Sequence, residues 1–165
     1  MIMIVHLTHT ILPEPKMVQR ELHRYAIDIQ YSDTTEDYSW TSLDYTYEVS
    51  LPQLRADIES YYNTQVQQRI LSGFMFNDTP IWLSAENQQN YITAYTLGLD
   101  YLKVKGGTDS EPKYLELTSK EEIAEFVKAM QVYIQECIAW GWEKKDSVDY
   151  SVYGFNEHSN KTKNI

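Results

Sequence analysis

The side chains that could carry out acid–base or metal chemistry are scattered along the chain. The histidines are His6, His9, His23 and His158, and none of them adjoins a serine or cysteine nucleophile. Nucleophilic catalysis needs a general base within hydrogen-bond reach of the nucleophile, and two isolated imidazoles such as His6 and His9 are too few to hold a metal. We therefore expect no enzyme, no metal and no cofactor, although a catalytic site can assemble from residues that are distant in sequence.

The acidic segment 32–37 is a second chemical candidate. Asp33, Glu36 and Asp37 offer the hard oxygen ligands that Ca²⁺ prefers. They lack the alternating acidic spacing and the glycine of a calcium-binding loop. The pattern favours a structural acidic loop between two strands.

Composition restricts the classes of partner. The 165 residues include 24 acidic and 14 basic ones, which gives a net charge of −10. Nucleic acids and anionic membranes bind clustered Lys and Arg, so we expect neither as a partner. The apolar opening Met1–Leu7 is too short to span a bilayer and lacks the signals of a secretory leader. The single Cys137 lies in a helical apolar pattern and is typical of a buried thiol in a reducing compartment.

Aromatic residues are abundant, with 14 Tyr, 4 Trp and 4 Phe. Such side chains suit surfaces that contact other proteins or sugars. Tyr also has a high strand propensity, so a tyrosine-rich sheet face is the favoured interpretation and an interface the alternative.

The chain is divided by its turn and breaker residues. Residues 2–7 could form a short strand, but Pro13 and Pro15 interrupt regular structure, so residues 1–20 are expected to form an extended N-terminal arm. Residues 21–150 are expected to form one α+β domain. The polar segment 151–165 is expected to be a flexible tail.

Alternation in the first half predicts an antiparallel pair of strands. Tyr25, Ile27, Ile29 and Tyr31 share one face of the first run, and the second run covers 43–49. The intervening loop, about ten residues long, carries Tyr38 and Trp40, and long loops on a rigid sheet often bind partners.

The rest of the chain alternates hairpins with helices. A helix is predicted from Pro52 to the residue before Gly73, a hairpin over 74–83, a second helix from Ser84 to about Leu99, a hairpin over 101–117 and a third helix from Thr118 to Gly141. Thr118 with Glu121 indicates a capping box. Trp82 is expected to be a hydrophobic staple or a core residue. The positions that define these elements are Gly73, Phe74, Trp82, Ser84, Glu86, Asn87, Thr118, Glu121, Gly141 and Trp142.

This order predicts the fold class. Antiparallel β hairpins that alternate with three helices are typical of an α+β domain and not of a doubly wound parallel sheet. We expect a single compact domain that carries the extended N-terminal arm.

Several of these motifs carry a resemblance. Residues 67–153 resemble a bacteriophage domain of unknown function that occurs near tail and tail-fibre genes in phages of gut bacteria. The matching residues are 69–74 (RILSGF), 81–88 (IWLSAENQ), Leu117–Thr118, Ile134–Gln135 and 141–146 (GWEKKD). The segment 101–107 departs from the family's more regular strand pattern. The motifs are turns, caps and core aromatics, and the resemblance implies no catalytic residue.

The resemblance implies a virion structural or adaptor protein that attaches or supports a tail, tail-fibre or head accessory component. Its partners would be other virion proteins, in a homo-oligomer or symmetric assembly. Alternatives are a tail-fibre assembly chaperone, and a carbohydrate-binding module that stacks sugars on Tyr38, Trp40, Tyr45 and Tyr47. The residues expected at the interface are Ile4, His6, Pro13, Pro15, Tyr38, Trp40, Tyr153 and Phe155.

Overall fold

The computed structural model of the chain describes residues 2–108 and 110–155. It confirms the α+β class, because every strand pair among these residues is antiparallel and three α-helices alternate with the strands. The contacts divide the chain into two compact units, where the sequence predicts one domain. The division falls within the first helix, whose unbroken apolar periodicity gives no linker signal.

The first unit comprises the described residues up to Glu59 and those from Val148 to Phe155, and it contains a four-stranded sheet. Its strands are β1 (Ile2–His9), β2 (Lys16–Gln19), β3 (Leu22–Ser32) and β4 (Asp37–Tyr45). They lie in the order β1-β4-β3-β2. Strands β1 and β2 are therefore the two edges of the sheet.

The expected N-terminal arm over residues 1–20 is wrong for the residues described. Strand β1 pairs along its whole length with β4, from Ile2 opposite Tyr45 to His9 opposite Tyr38. Pro13 and Pro15 lie in the connection to β2, and the Pro15 carbonyl accepts a hydrogen bond of 2.8 Å from the Ala26 amide. The apolar and β-branched residues of β1 favour a strand, and its partner β4 lies too far along the chain for local pattern to reveal the pairing.

The predicted pairing of β3 with β4 is confirmed, but the long loop between them is not. The connection is a turn over residues 33–36, and Tyr38 and Trp40 lie on β4 itself. A bulge between Ile27 and Gln30 shifts the register of β3. Ile29 and Tyr31 are consequently exposed and do not share the buried face of Tyr25.

The second unit extends from Ser60 to Ser147 and begins within helix α1 (Leu51–Ser72). It continues through the hairpin β5–β6 (Phe74–Phe76, Thr79–Ile81), helix α2 (Ala85–Thr96), the hairpin β7–β8 (Leu102–Gly107, Pro112–Leu117) and helix α3 (Lys120–Asp146). These elements confirm the predicted order of hairpins and helices.

The start of α2 follows its sequence signals. Asn77 and Asp78 both have positive φ angles, as a tight hairpin turn requires. Ser84 caps α2 and its hydroxyl accepts a hydrogen bond of 3.2 Å from the Asn87 amide, while Glu86 lies in the first turn. The Asn87 side chain also donates to the Trp82 carbonyl at 2.9 Å, which ties the helix to the strand before it.

The cap of α3 lies one residue later than predicted. Ser119 is the N-cap and accepts from the Glu122 amide, whereas the predicted pair was Thr118 with Glu121. The Glu122 carboxylate in turn accepts from the amide and hydroxyl of Thr118, at 2.6 and 3.2 Å. Thr and Ser are both good caps, so two adjacent candidates leave the register undecided in the sequence.

Gly141 does not end α3, which continues to Asp146 with Ser147 as its C-cap. It is buried, and a Cβ at this position would lie well inside van der Waals distance of Val66 Cγ2. The glycine therefore permits a close approach between two helices of this unit. Gly73 does end α1 as predicted, and a Cβ there would collide with the Tyr133 hydroxyl.

The core of the second unit is built around aromatic rings. The Phe126 ring lies 5.0 to 5.9 Å from the rings of Phe76, Tyr91 and Phe74, all in edge-on geometry. Trp82, for which the sequence left a staple or a core role open, is 53% exposed, and Trp142 is 59% exposed. Next to Trp82, Ile81 and Leu83 point into the core instead.

Candidate interaction surface

Large apolar side chains are exposed on the outer strands of the four-stranded sheet. Apolar groups in contact with water are unfavourable, and contiguous patches of them commonly mark contact surfaces. The exposed residues on these strands and their connection are Ile2, Met3, Ile4, Ile11, Leu12, Met17 and Val18.

Strand β1 presents this surface along an open sheet edge. It is eight residues long and has β4 on one side only. Its sequence IMIVHLTH contains no acidic residue, no Lys or Arg and no proline. The unpaired amide and carbonyl groups of an edge strand can form hydrogen bonds with a strand of another chain. Natural edge strands usually reduce such pairing by being short or by carrying charged residues or prolines.

The opposite edge of the sheet has these protective features. Strand β2 has four residues, begins with Lys16 and directly follows Pro15. The Lys16 ammonium lies 3.3 Å from a Glu48 carboxylate oxygen. Strand β1 is therefore more open than β2 to the addition of a further strand from another chain.

Four of the sequence-predicted interface residues lie on β1 and β4. Ile4 and His6 share one sheet face, where a hydrogen bond of 2.9 Å joins His6 Nδ1 to Thr41 Oγ1. Tyr38 and Trp40 lie on the other face, in register with His9 and Leu7. The Tyr38 ring also packs 4.9 Å from that of Tyr31. The structure thus places these four residues on the edge strand β1 and its neighbour β4, but on two faces.

Tyr153 is a core residue, which corrects its assignment to the interface. The turn of 3₁₀ helix at Tyr150–Tyr153 buries it, and its hydroxyl donates to the Ala26 carbonyl at 2.9 Å. Burial raises the pKa of Tyr153 to about 12. The start of the predicted flexible tail 151–165 is therefore packed, and residues 156–165, with His158, lie outside the described residues.

Phe155 also packs against the sheet. Its ring stacks at 6.3 Å on that of Tyr25, and Lys16 Nζ lies 5.6 Å from both ring centres. This arrangement combines stacking with a cation–π contact. Phe155 therefore stabilises the first unit, and only part of its surface is open to a partner.

Tyr45 cannot contribute to a sugar-stacking platform with Tyr38, Trp40 and Tyr47. It is 1% exposed, and its hydroxyl donates to Asp57 Oδ2 at 2.8 Å. Burial and the adjacent Asp57 carboxylate raise its pKa. Tyr47 is exposed but lies beyond the end of β4.

A buried polar cluster lies in the middle of the sheet. Asp44 is 2% exposed; Arg24 Nε is 3.2 Å from one carboxylate oxygen, and the Ser42 hydroxyl donates to the other. One oxygen is met by Arg24 on β3 and the other by Ser42 on the same strand as Asp44, so the cluster satisfies a buried charge within the sheet. The Arg24–Asp44 contact links β3 to β4.

The described part of the second unit also has a concave surface. An open groove of about 500 Å³ lies between β5 and α3, with Met75, Val132 and Tyr133 among its lining residues. The Tyr133 hydroxyl donates to the Arg69 carbonyl at 2.7 Å, which fixes this side of the groove.

Within residues 2–108 and 110–155, no three His, Cys, Asp or Glu side chains are grouped so as to hold a metal ion. In the same residues, no helix combines the length and hydrophobicity needed to cross a membrane. Comparisons of the chain with protein-family models, curated proteins and solved structures found no match.

Sequence reasoning missed Met3, Met17 and Val18 as surface candidates. For Met3 the available signal was the opening run of apolar residues without period-two alternation, which a strand with one buried and one solvated face would have shown. Met17 and Val18 lie outside that run and have no such signal.

Proposed function

We propose that this chain is a structural or adaptor protein of a phage virion, made in the host cytoplasm. It would attach or support a tail, tail-fibre or head accessory component through protein–protein contacts. The phage assignment comes from the resemblance of residues 67–153 to a bacteriophage domain. In this proposal the chain is not an enzyme and needs no cofactor, nucleic acid or membrane.

The observation that carries the contact role is the exposed apolar edge of the first sheet. Met3 and Ile4 are 53% and 49% exposed on a strand that has an open hydrogen-bonding side. Strand addition at such an edge combines main-chain hydrogen bonds with burial of apolar side chains. The main-chain hydrogen bonds and the apolar burial both favour a protein partner, which supplies a strand, over a sugar or a nucleic acid.

The carbohydrate-binding alternative is less well supported. Its proposed platform needs several aromatic faces that are open together. Burial of Tyr45 removes one of them, and Tyr38 is occupied by its contact with Tyr31.

Quantitative mass spectrometry of purified phage particles and of infected-cell lysate tests the proposal. A virion component is expected at a fixed copy number per particle that matches the symmetry of the tail or head. Abundance in lysate with absence from particles would contradict the proposal and favour a tail-fibre assembly chaperone.

A further inference from the structure

The chain carries a high net charge but opens with an uncharged stretch. The net charge is −10, yet no Asp, Glu, Lys or Arg occurs before Glu14. Two copies of an acidic protein repel each other over most contacts. Contact between copies is least opposed where acidic residues are absent, and β1 lies wholly within this stretch.

Strand β1 is also geometrically suited to pair with itself. An antiparallel pair of identical strands is related by a two-fold axis perpendicular to the sheet, so the interface is closed and self-complementary. In such a pair each sheet face of β1 continues onto the same face of its copy. Ile2 and Ile4 extend one apolar face, and Met3 and Val5 extend the other.

We propose that two copies of this chain associate through antiparallel pairing of β1 with β1, which joins their sheets into one continuous eight-stranded sheet. The occupant of the open edge is thus a second copy. Each copy would satisfy the outward amide and carbonyl groups of β1 and cover Met3 and Ile4, which are exposed in the single chain.

The other edge of the sheet, β2, is not expected to pair in this way. Val18 on β2 is 54% exposed, as much as Met3, but β2 is short and carries Lys16. Pairing of β1 with β2 of the next copy would be head-to-tail and would grow into open chains. Self-pairing of β1 predicts a dimer that stops at two copies.

Sedimentation equilibrium of the purified full chain over a range of concentrations tests this inference. The expected species has twice the monomer mass of 19.4 kDa. The variants Met3→Lys and Ile4→Lys place a charge on the pairing strand of each copy, one on each sheet face. Each should raise the dimer dissociation constant by about tenfold or more, the equivalent of about 1.4 kcal/mol.

Val18→Lys is the matched control, because it adds the same charge at similar exposure to the other edge of the same sheet. It should leave the dissociation constant unchanged. Unaltered far-ultraviolet circular dichroism would show that all three variants fold. A monomer at every concentration, continued growth beyond the dimer, unaffected association in both β1 variants, or loss of association in Val18→Lys would each overturn the inference.

Hydrogen exchange locates the contact independently. In the monomer, alternate β1 amides face away from β4 and should exchange fast. In the dimer these same amides should become protected as concentration rises, while the β2 amides do not change. Protection that spreads over β2 instead would refute self-pairing. The inference does not rest on the proposed function, since it concerns the purified chain alone and can hold or fail without any phage particle.

Discussion

The close approach of α1 and α3 at Gly141 allows a quantitative prediction. In most helix interiors, replacing glycine by alanine stabilises the fold by about 1 kcal/mol. Here the added methyl would collide with Val66 Cγ2, and Val66 is itself buried. Overpacking of this kind costs about 1–3 kcal/mol. We therefore expect Gly141→Ala to lower the free energy of unfolding by about 1 kcal/mol, the reverse of its effect in an open helix.

The sign should change when the opposing side chain is shortened. Val66→Ala removes the methyl groups that meet position 141 and should itself cost about 2 kcal/mol through lost burial and a small cavity. In that background the alanine methyl at position 141 has room, and only the helix-propensity gain of about 1 kcal/mol remains. The two substitutions should thus be coupled by about 2 kcal/mol.

Urea unfolding of the wild-type chain, both single variants and the double variant measures this coupling. Transitions followed by circular dichroism and by tryptophan fluorescence should coincide, which checks that the comparison is between two states. Stabilisation of the wild-type chain by Gly141→Ala, or an equal effect with Val66 and with alanine at position 66, would contradict this prediction. Either result would mean that the helices do not meet closely at this glycine.

Three further predictions concern single contacts. Tyr153→Phe leaves the buried Ala26 carbonyl without its 2.9 Å hydrogen bond, and should lower the free energy of unfolding by about 1–1.5 kcal/mol in urea titrations; an effect near zero would contradict the burial of this hydroxyl. Because the pKa of Tyr153 is raised from 10.0 to about 12 in the folded chain, its contribution is complete below pH 10 and is lost as the pH rises toward 12. Thermal melts over that range should therefore show a shallower loss of stability in Tyr153→Phe than in the wild-type chain, and equal slopes would argue against the shift. Finally, Ser119→Ala should cost about 1 kcal/mol as the loss of the α3 cap, and Thr118→Ala less, since the Thr118 amide still donates to Glu122; the reverse order would restore Thr118 as the cap.

Local signals in the second unit were sufficient to predict most of its elements. The Asn77–Asp78 reversal and the Ser84 cap act over a few residues, so their sequence pattern specifies their structure. The predicted cap of α3 is wrong by one residue because Thr118 and Ser119 offer the same chemistry. The predicted helix end at Gly141 is wrong because glycine serves both as a helix terminator and as a point of close helix packing, and only the position of Val66 distinguishes the two.

The first unit was predicted less well because long-range pairing determines it. Strand β1 is held by β4, and Tyr153 is held by the Ala26 carbonyl on β3. Neither contact has a local signature, so sequence pattern alone predicts an arm for the opening residues and a tail for the closing ones. The same limit applies to the candidate surface: Ile4 and His6 were identified, but their position on an open sheet edge depends on the strand order.

In the proposed virion role, incorporation into the particle depends on β1, the open edge of the first sheet, through which two copies of the chain pair. The most direct test of this dependence is quantitative mass spectrometry of particles from phages that encode the wild-type chain, Ile4→Lys or Val18→Lys. We expect a fixed copy number for the wild-type chain and for Val18→Lys, and a strongly reduced one for Ile4→Lys despite equal amounts in lysate. Equal incorporation of all three chains, or absence of the wild-type chain from particles, would contradict it.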